Sequence, residues 1–211
     1  MPELHIITGS NGAGKSSIGA VYLPEHIQAT CEVFNGDKLV EDKKKELYQS
    51  GMRAFKEARK IAHAHLETVW EELYSRHLQD NTNFAYEGHF TNEATWTIPR
   101  QFKEAGFEIH LVFLGLRDPD LSMLRVIDRS DNEGGHYVSR QEVEDNFYGN
   151  MEKLNKHYAM FDSVQIIDAS ESEHLPIATY QNGLLVNAIP AGLLPSWFTA
   201  YLPSLASQVT T

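Results

Sequence analysis

The chain has 211 residues, 42% of them hydrophobic, which suits a soluble globular protein with a sizeable core. Its formal net charge is −11, which argues against a broad nucleic-acid footprint, since that needs a basic face. Cys31 is the only cysteine, so neither an internal disulfide framework nor a cysteine-ligated zinc site is available.

From the amino end, Leu4 to Ile7 reads as a short buried strand that runs into Gly9-Ser10-Asn11-Gly12-Ala13-Gly14-Lys15-Ser16-Ser17. This is the full G-x-x-x-x-G-K-[ST] spacing. Glycines at 9, 12 and 14 let the backbone approach a ligand closely, so that the loop N–H groups converge on an anion. Gly9 to Ser17 is therefore the expected ATP site, with Lys15 reaching the β- and γ-phosphates and Ser16 offering its hydroxyl to Mg²⁺. A helix is expected from Ser16 to about Leu23, ended by Pro24. The strand starts so early that no signal peptide is read, and the apolar tail is broken by Pro190, Pro195 and Pro203. A cytoplasmic protein without membrane contact is expected.

Glu32 to Asn35 is the expected second strand, with Asp37 at its carboxyl edge, where open α/β sheets bind ligands. Glu41 to His77 should be mostly helical, broken near Gly51, with Phe55, Ala58, Ala62, Leu66, Val69 and Leu73 as one apolar stripe. His63 and His65 are two apart and share no helical face, which disfavours a metal pair. Asn83 to Glu87 is the third strand and ends on a second carboxylate. Phe107 to Gly115 is nearly continuous apolar, as expected of a central parallel strand. Asp118-Pro119 should cap and open a helix to about Arg129, with Arg125 and Arg129 on one face as candidate phosphate clamps. Ser130 to Val138 is polar, contains Gly134-Gly135, and is expected to be a lid loop. Ser139 and Glu142 make a capping box for a helix with Arg140 in its first turn and Val143, Phe147, Leu154, Tyr158 and Phe161 on one face. Val164 to Asp168 is the fifth strand, Ile177 to Asn187 a hairpin turning at Asn182-Gly183, and Pro195 to Leu205 a short docking helix.

These elements predict an α/β P-loop NTPase fold: a mainly parallel five-stranded sheet flanked by helices, with a C-terminal β-hairpin. One domain is expected over residues 1–211, with a helical insertion at about 41–80 and a lid at about 117–145. Three activities fit the residues: a kinase, an NTPase coupling ATP hydrolysis to a protein partner, and a nucleotide-binding regulator without turnover. A kinase needs a carboxylate to take a hydroxyl proton, which Asp37 or Glu87 can supply. It also needs cations for the transferring phosphoryl group, for which Lys15, Arg125, Arg129 and Arg140 are available.

Taken together, ITGSNGAGKSS, VFNGDKL, FAYEGHF and LVFLGLRDPDLSMLRVIDRSDNEGGHYVSRQEV resemble the zeta-toxin-like kinases over about residues 4–170, in the branch often labelled predicted ABC-type ATPases. The resemblance implies an ATP-dependent small-molecule kinase whose acceptor is a hydroxyl, as in the nucleotide sugar UDP-N-acetylglucosamine, and an antitoxin protein as partner. It implies that Gly12 to Ser16 hold ATP and Mg²⁺, that Asp37 is the general base, that Glu87 contacts the acceptor and that Arg125 or Arg129 stabilises the phosphoryl group. His136 and Arg140, around the lid, join the implied acceptor contacts. The chain departs from the family at two places. Glu87-Gly88-His89 stands where members often carry E-T-T or E-S-T, and His136, with Arg140 four residues on, stands where toxins commonly have a second lid arginine.

Overall fold

The computed structural model describes the backbone of residues 1–133 and 138–210, and the side chains of residues 1–129 and 138–210. Among the described residues, seven strands form one sheet in the order β2-β3-β1-β4-β5-β6-β7. They are β1 (Glu3–Gly9), β2 (Phe34–Asn35), β3 (Phe84–Gly88), β4 (Glu108–Gly115), β5 (Ser163–Asp168), β6 (Leu175–Gln181) and β7 (Leu184–Ala188). The first five are mutually parallel. The last two run antiparallel, joined through Asn182 and Gly183, both with positive φ. This is the mainly parallel sheet with a terminal hairpin that the sequence predicts. Leu4, Ile6 and Ile7 of β1 and Leu111 to Leu114 of β4 are buried, as expected for strands covered on both faces. Because β3 lies on one side of β1 and β4 on the other, strand order reverses at β1, and a crevice opens at its carboxyl end.

The helices are α1 (Lys15–Ile18), α2 (Glu25–Thr30), α3 (Gly36–Gln49), α4 (Phe55–Asp80), α5 (Thr97–Glu104), α6 (Pro119–Glu133), α7 (Arg140–His157), α8 (Ser196–Tyr201) and α9 (Pro203–Val209). None among the described residues is long and apolar enough to cross a membrane. Several bounds differ from the expected ones, for local reasons. The helix after the loop is one turn, followed by a 3-10 turn at Gly19–Tyr22. Gly19 presses on Ile7, where a Cβ would come within 2.7 Å of a methyl group, and Pro24 then ends the segment. The second strand shrinks to two residues because Asn35 caps α3, its side chain accepting from the Lys38 amide at 2.8 Å. Asp37 therefore follows β2 at its carboxyl end, as expected, but already in the first turn of a helix. In α4 only Ala58 and Ala62 of the expected stripe are fully buried; Phe55 is exposed and stacks on Tyr48. Pro203 splits the expected docking helix into α8 and α9.

The two tail helices seal the sheet through Trp197, Phe198, Leu202 and Leu205, all buried. Trp197 lies over Gly115 at the end of β4, where an added Cβ would stand 2.2 Å from the indole. Gly115→Ala should push the indole out and lower stability by about 2–3 kcal/mol, read as a drop in the urea midpoint at constant m. Adding Trp197→Phe should recover part of the loss, and a Gly115→Ala midpoint equal to that of the parent would show that this contact is not tight.

Candidate active site

The loop at the crevice is shaped by what lies beneath it. Gly9 has φ +140°, and a Cβ there would fall 2.2 Å from the Leu114 carbonyl oxygen, so only glycine lets β1 turn over β4. The amides of Gly12, Gly14, Lys15 and Ser16 donate to no backbone carbonyl among the described residues. Helices α6 and α7 hold the loop from above. Ser122 Oγ donates to the Asn11 carbonyl at 2.6 Å, and Asn146 Nδ2 donates to Asn11 Oδ1 at 2.8 Å.

Lys15 Nζ donates to the carbonyls of Gly9 and Ser10, each at 3.0 Å. Burial pulls this ammonium down to about 8, against the opposing pull of Glu87 and Asp37, with Arg129 adding to the drop. Ser16 Oγ donates to Glu87 Oε1 at 2.7 Å and accepts from Asn35 Nδ2 at 3.1 Å. Strand register places these groups side by side, since Ile7, Glu87 and Asn35 are neighbours across β1, β3 and β2. Glu87 Oε2 is buried and has no hydrogen-bond partner among the described residues. Burial raises the Glu87 carboxyl above its ordinary range, and its bond to Ser16 and the Lys15 charge only partly reverse this.

Two cavities meet at this point. The larger, about 360 Å³, has walls of Phe34, Leu66, Trp70, Tyr86, Phe90 and Ile98, with Glu67 and Thr95 among them. The smaller, about 220 Å³, is walled by loop residues Asn11, Gly12 and Gly14 to Ser17 together with Arg125, Asp128 and Arg129. Lys15, Asp37, Glu87 and His89 line both and form the border between them.

His89, named from the sequence only as part of a departure from the family pattern, and Asn150 also belong to the site. Asn150 is buried inside the otherwise apolar face of α7, which was the available signal. Its Oδ1 accepts from the Phe90 amide at 2.7 Å and from Thr8 Oγ1 at 3.2 Å. Its Nδ2 donates to His89 Nδ1 at 3.3 Å, which assigns the His89 ring hydrogen to Nε2. Burial and the Lys15 charge hold His89 well below the usual histidine range, so the ring is neutral. The remaining expected residues divide. Arg129 stands on the smaller cavity's wall. Arg125 lines the same cavity, but its guanidinium is taken up by the carbonyls of Gly12 (3.3 Å), Ala169 (2.7 Å) and Ser170 (2.7 Å), tying the loop to the segment after β5. Arg140 lines neither cavity; it pairs with Asp120 at 2.6 Å and Glu144 at 2.9 Å on the surface, so the structure does not bring it to the expected acceptor site. His136 and the centre of the expected lid lie outside the described residues.

The zeta toxin family profile matches residues 1–178. Among solved structures, the PezAT toxin–antitoxin system of Streptococcus pneumoniae is 21% identical, with 82% of this chain and 72% of that chain covered and a TM-score of 0.58. The AvrRxo1-ORF1:-ORF2 structure with ATP is 15% identical, with 92% and 62% covered and a TM-score of 0.69. The same pair with sulphate ions is 15% identical, with 88% and 60% covered and a TM-score of 0.64. The chain thus spans about three fifths of the AvrRxo1 chains, and at these identities the likeness is one of fold. No curated protein sequence matches it.

Proposed function

The chain belongs to the zeta toxin family, and on that premise we propose that it is an ATP-dependent kinase that moves the γ-phosphoryl group onto a hydroxyl of a small molecule. The observation that carries this is the shared border: one cation, two carboxylates and a neutral imidazole stand between a phosphate-sized polar cavity and an aromatic one. ATP extends its phosphates into the smaller cavity, where the loop amides receive them. Lys15 exchanges its two carbonyl partners for the phosphate oxygens, and Arg129 adds charge from the wall. The acceptor occupies the larger cavity. Its hydroxyl oxygen bonds to the γ-phosphorus as the bond to the β–γ bridging oxygen breaks, and Asp37 takes the hydroxyl proton. Its position in the first turn of α3 holds that carboxylate at the border of the two cavities. The Ser16 hydroxyl and Glu87 Oε2, which has no hydrogen-bond partner among the described residues, would hold Mg²⁺, which would supply charge neutralisation for the phosphates. This moves Glu87 from acceptor contact to the metal side. The ATP complex of AvrRxo1 supports ATP as the donor, and the toxin–antitoxin neighbour supports an antitoxin protein as a partner here.

Family resemblance brings a nucleotide sugar as acceptor. The larger cavity offers Lys15 as its cation against Asp37, Glu67 and Glu87. Aromatic walls suit a ring, while this charge balance favours an acceptor without a diphosphate. In a panel followed by ATP consumption and mass spectrometry, a neutral or cationic ring compound bearing hydroxyls should outrun UDP-N-acetylglucosamine by about tenfold or more in kcat/KM. If the nucleotide sugar is the better substrate, the charge argument fails. If ATP is hydrolysed with no phosphorylated product from any compound, the kinase assignment gives way to an NTPase.

A further inference from the structure

At the end of the sheet remote from the loop, β1 and β4 carry the same tripeptide pattern, Glu3-Leu4-His5 and Glu108-Ile109-His110. They lie in register, Glu3 beside Glu108 and His5 beside His110. Strand alternation puts all four side chains on one face. The two imidazoles stack with centroids 4.7 Å apart. Glu3 Oε2 is 2.7 Å from His5 Nε2 and 3.9 Å from His110 Nε2, and Glu108 Oε2 is 3.7 Å from His110 Nε2. Helix α2 brings a third imidazole, His26, whose Nε2 is 3.0 Å from Glu3 Oε1.

A plain hydrogen-bonded cluster accounts for His5 and His26, which both find Glu3. It does not account for His110. That Nε2 is buried and has no hydrogen-bond partner among the described residues, although its Nδ1 meets Ser163 Oγ at 2.8 Å. A ring fixed at one nitrogen by a hydroxyl, with the other nitrogen unsatisfied and aimed among donors, is the usual arrangement of a metal-ligating histidine. The donor atoms of Glu3, His5 and His110 already lie within 4.8 Å of one another, and His26 is exposed enough to move inward.

We infer that Glu3, His5 and His110, joined by His26, bind a divalent transition cation of the zinc class. Imidazoles with one carboxylate suit zinc, whereas Mg²⁺ prefers an all-oxygen shell, which separates this site from the one at Ser16. The ion would join the two central strands at their base, independently of any phosphoryl transfer.

The test is calorimetric titration of chelator-treated full-length protein with Zn²⁺ alone. One equivalent should bind with Kd of about 1 μM or tighter and raise the melting temperature. His110→Ala should weaken binding about 100-fold or more. His26→Ala, an exposed change that leaves the metal-free melting temperature level, should weaken it about tenfold. His63→Ala, on α4, should change nothing. Cobalt in place of zinc should show the intense visible bands of a four-coordinate site. The inference is overturned by absence of saturable binding, by binding indifferent to both His110→Ala and His26→Ala, or by displacement of Zn²⁺ by a tenfold excess of Mg²⁺.

Discussion

Replacing Lys15 by alanine should cut phosphoryl transfer by about 1000-fold or more and weaken ATP binding with it. Among the described residues, Lys15 is the cation common to both cavities, and its ammonium has only the carbonyls of Gly9 and Ser10 as hydrogen-bond partners. Those neutral partners leave it depressed to about 8 by burial, so a phosphate oxygen is a far better partner and should raise it again. Linkage fixes the sign of the pH effect. Below about pH 8 the group is already protonated and ATP affinity should be flat. Above it, binding must take up a proton, and affinity should fall by about tenfold per pH unit until the bound form also titrates. Calorimetry at pH 7 and pH 9 checks this, since ATP itself is fully ionised above neutrality. Lys15→Ala should abolish the slope as well as the affinity. Its melting temperature should stay level or rise, because the fold holds the ammonium against its preference for water. Ordinary ATP affinity with the same pH slope in the variant would show that the ammonium does not meet the nucleotide.

What could be read in advance was whatever local chemistry dictates. The glycines of the loop announce a backbone that other residues cannot follow, and Gly9 above the Leu114 carbonyl is the clearest case. The apolar run of β4 announces a strand buried on both faces, and Ser139 with Glu142 makes the capping box that their spacing predicts. Side-chain partners far along the chain were out of reach. Arg125 and Arg129 are equivalent on a helical wheel, but the carbonyls of Ala169 and Ser170 arrive from more than forty residues downstream and engage only Arg125. Glu87 meets Ser16 across 71 positions. Arg140 is diverted by Asp120, a residue of the preceding helix that no spacing rule pairs with it. Asn150 was visible as a polar interruption in an apolar face, yet its partners on β1 and after β3 come from the tertiary fold.

Two carboxylates stand at the border, and Asp37→Asn separates their roles. Glu87 is already bonded to Ser16 and held protonation-prone by burial, both of which suit a group that a cation later pulls into its ionised form. Asp37 opens on both cavities from the first turn of α3. Asparagine keeps the size and the helical position while removing the proton acceptor. Turnover should fall by about 100-fold or more, with ATP affinity within about threefold of the parent. Loss of one first-turn carboxylate costs about 0.3–1 kcal/mol, so the melting temperature should drop by no more than about 3 °C and unfolding cannot mimic the effect. Glu87→Gln should behave differently, raising the Mg²⁺ concentration needed for half-maximal rate while leaving the acidic limb of the pH profile in place. Steady-state rates across pH and Mg²⁺ concentration distinguish the two. Were Asp37→Asn to keep near-parent turnover while Glu87→Gln lost it together with the acidic limb, the base would be Glu87, and the proton would leave from the β3 side of the border instead of from α3.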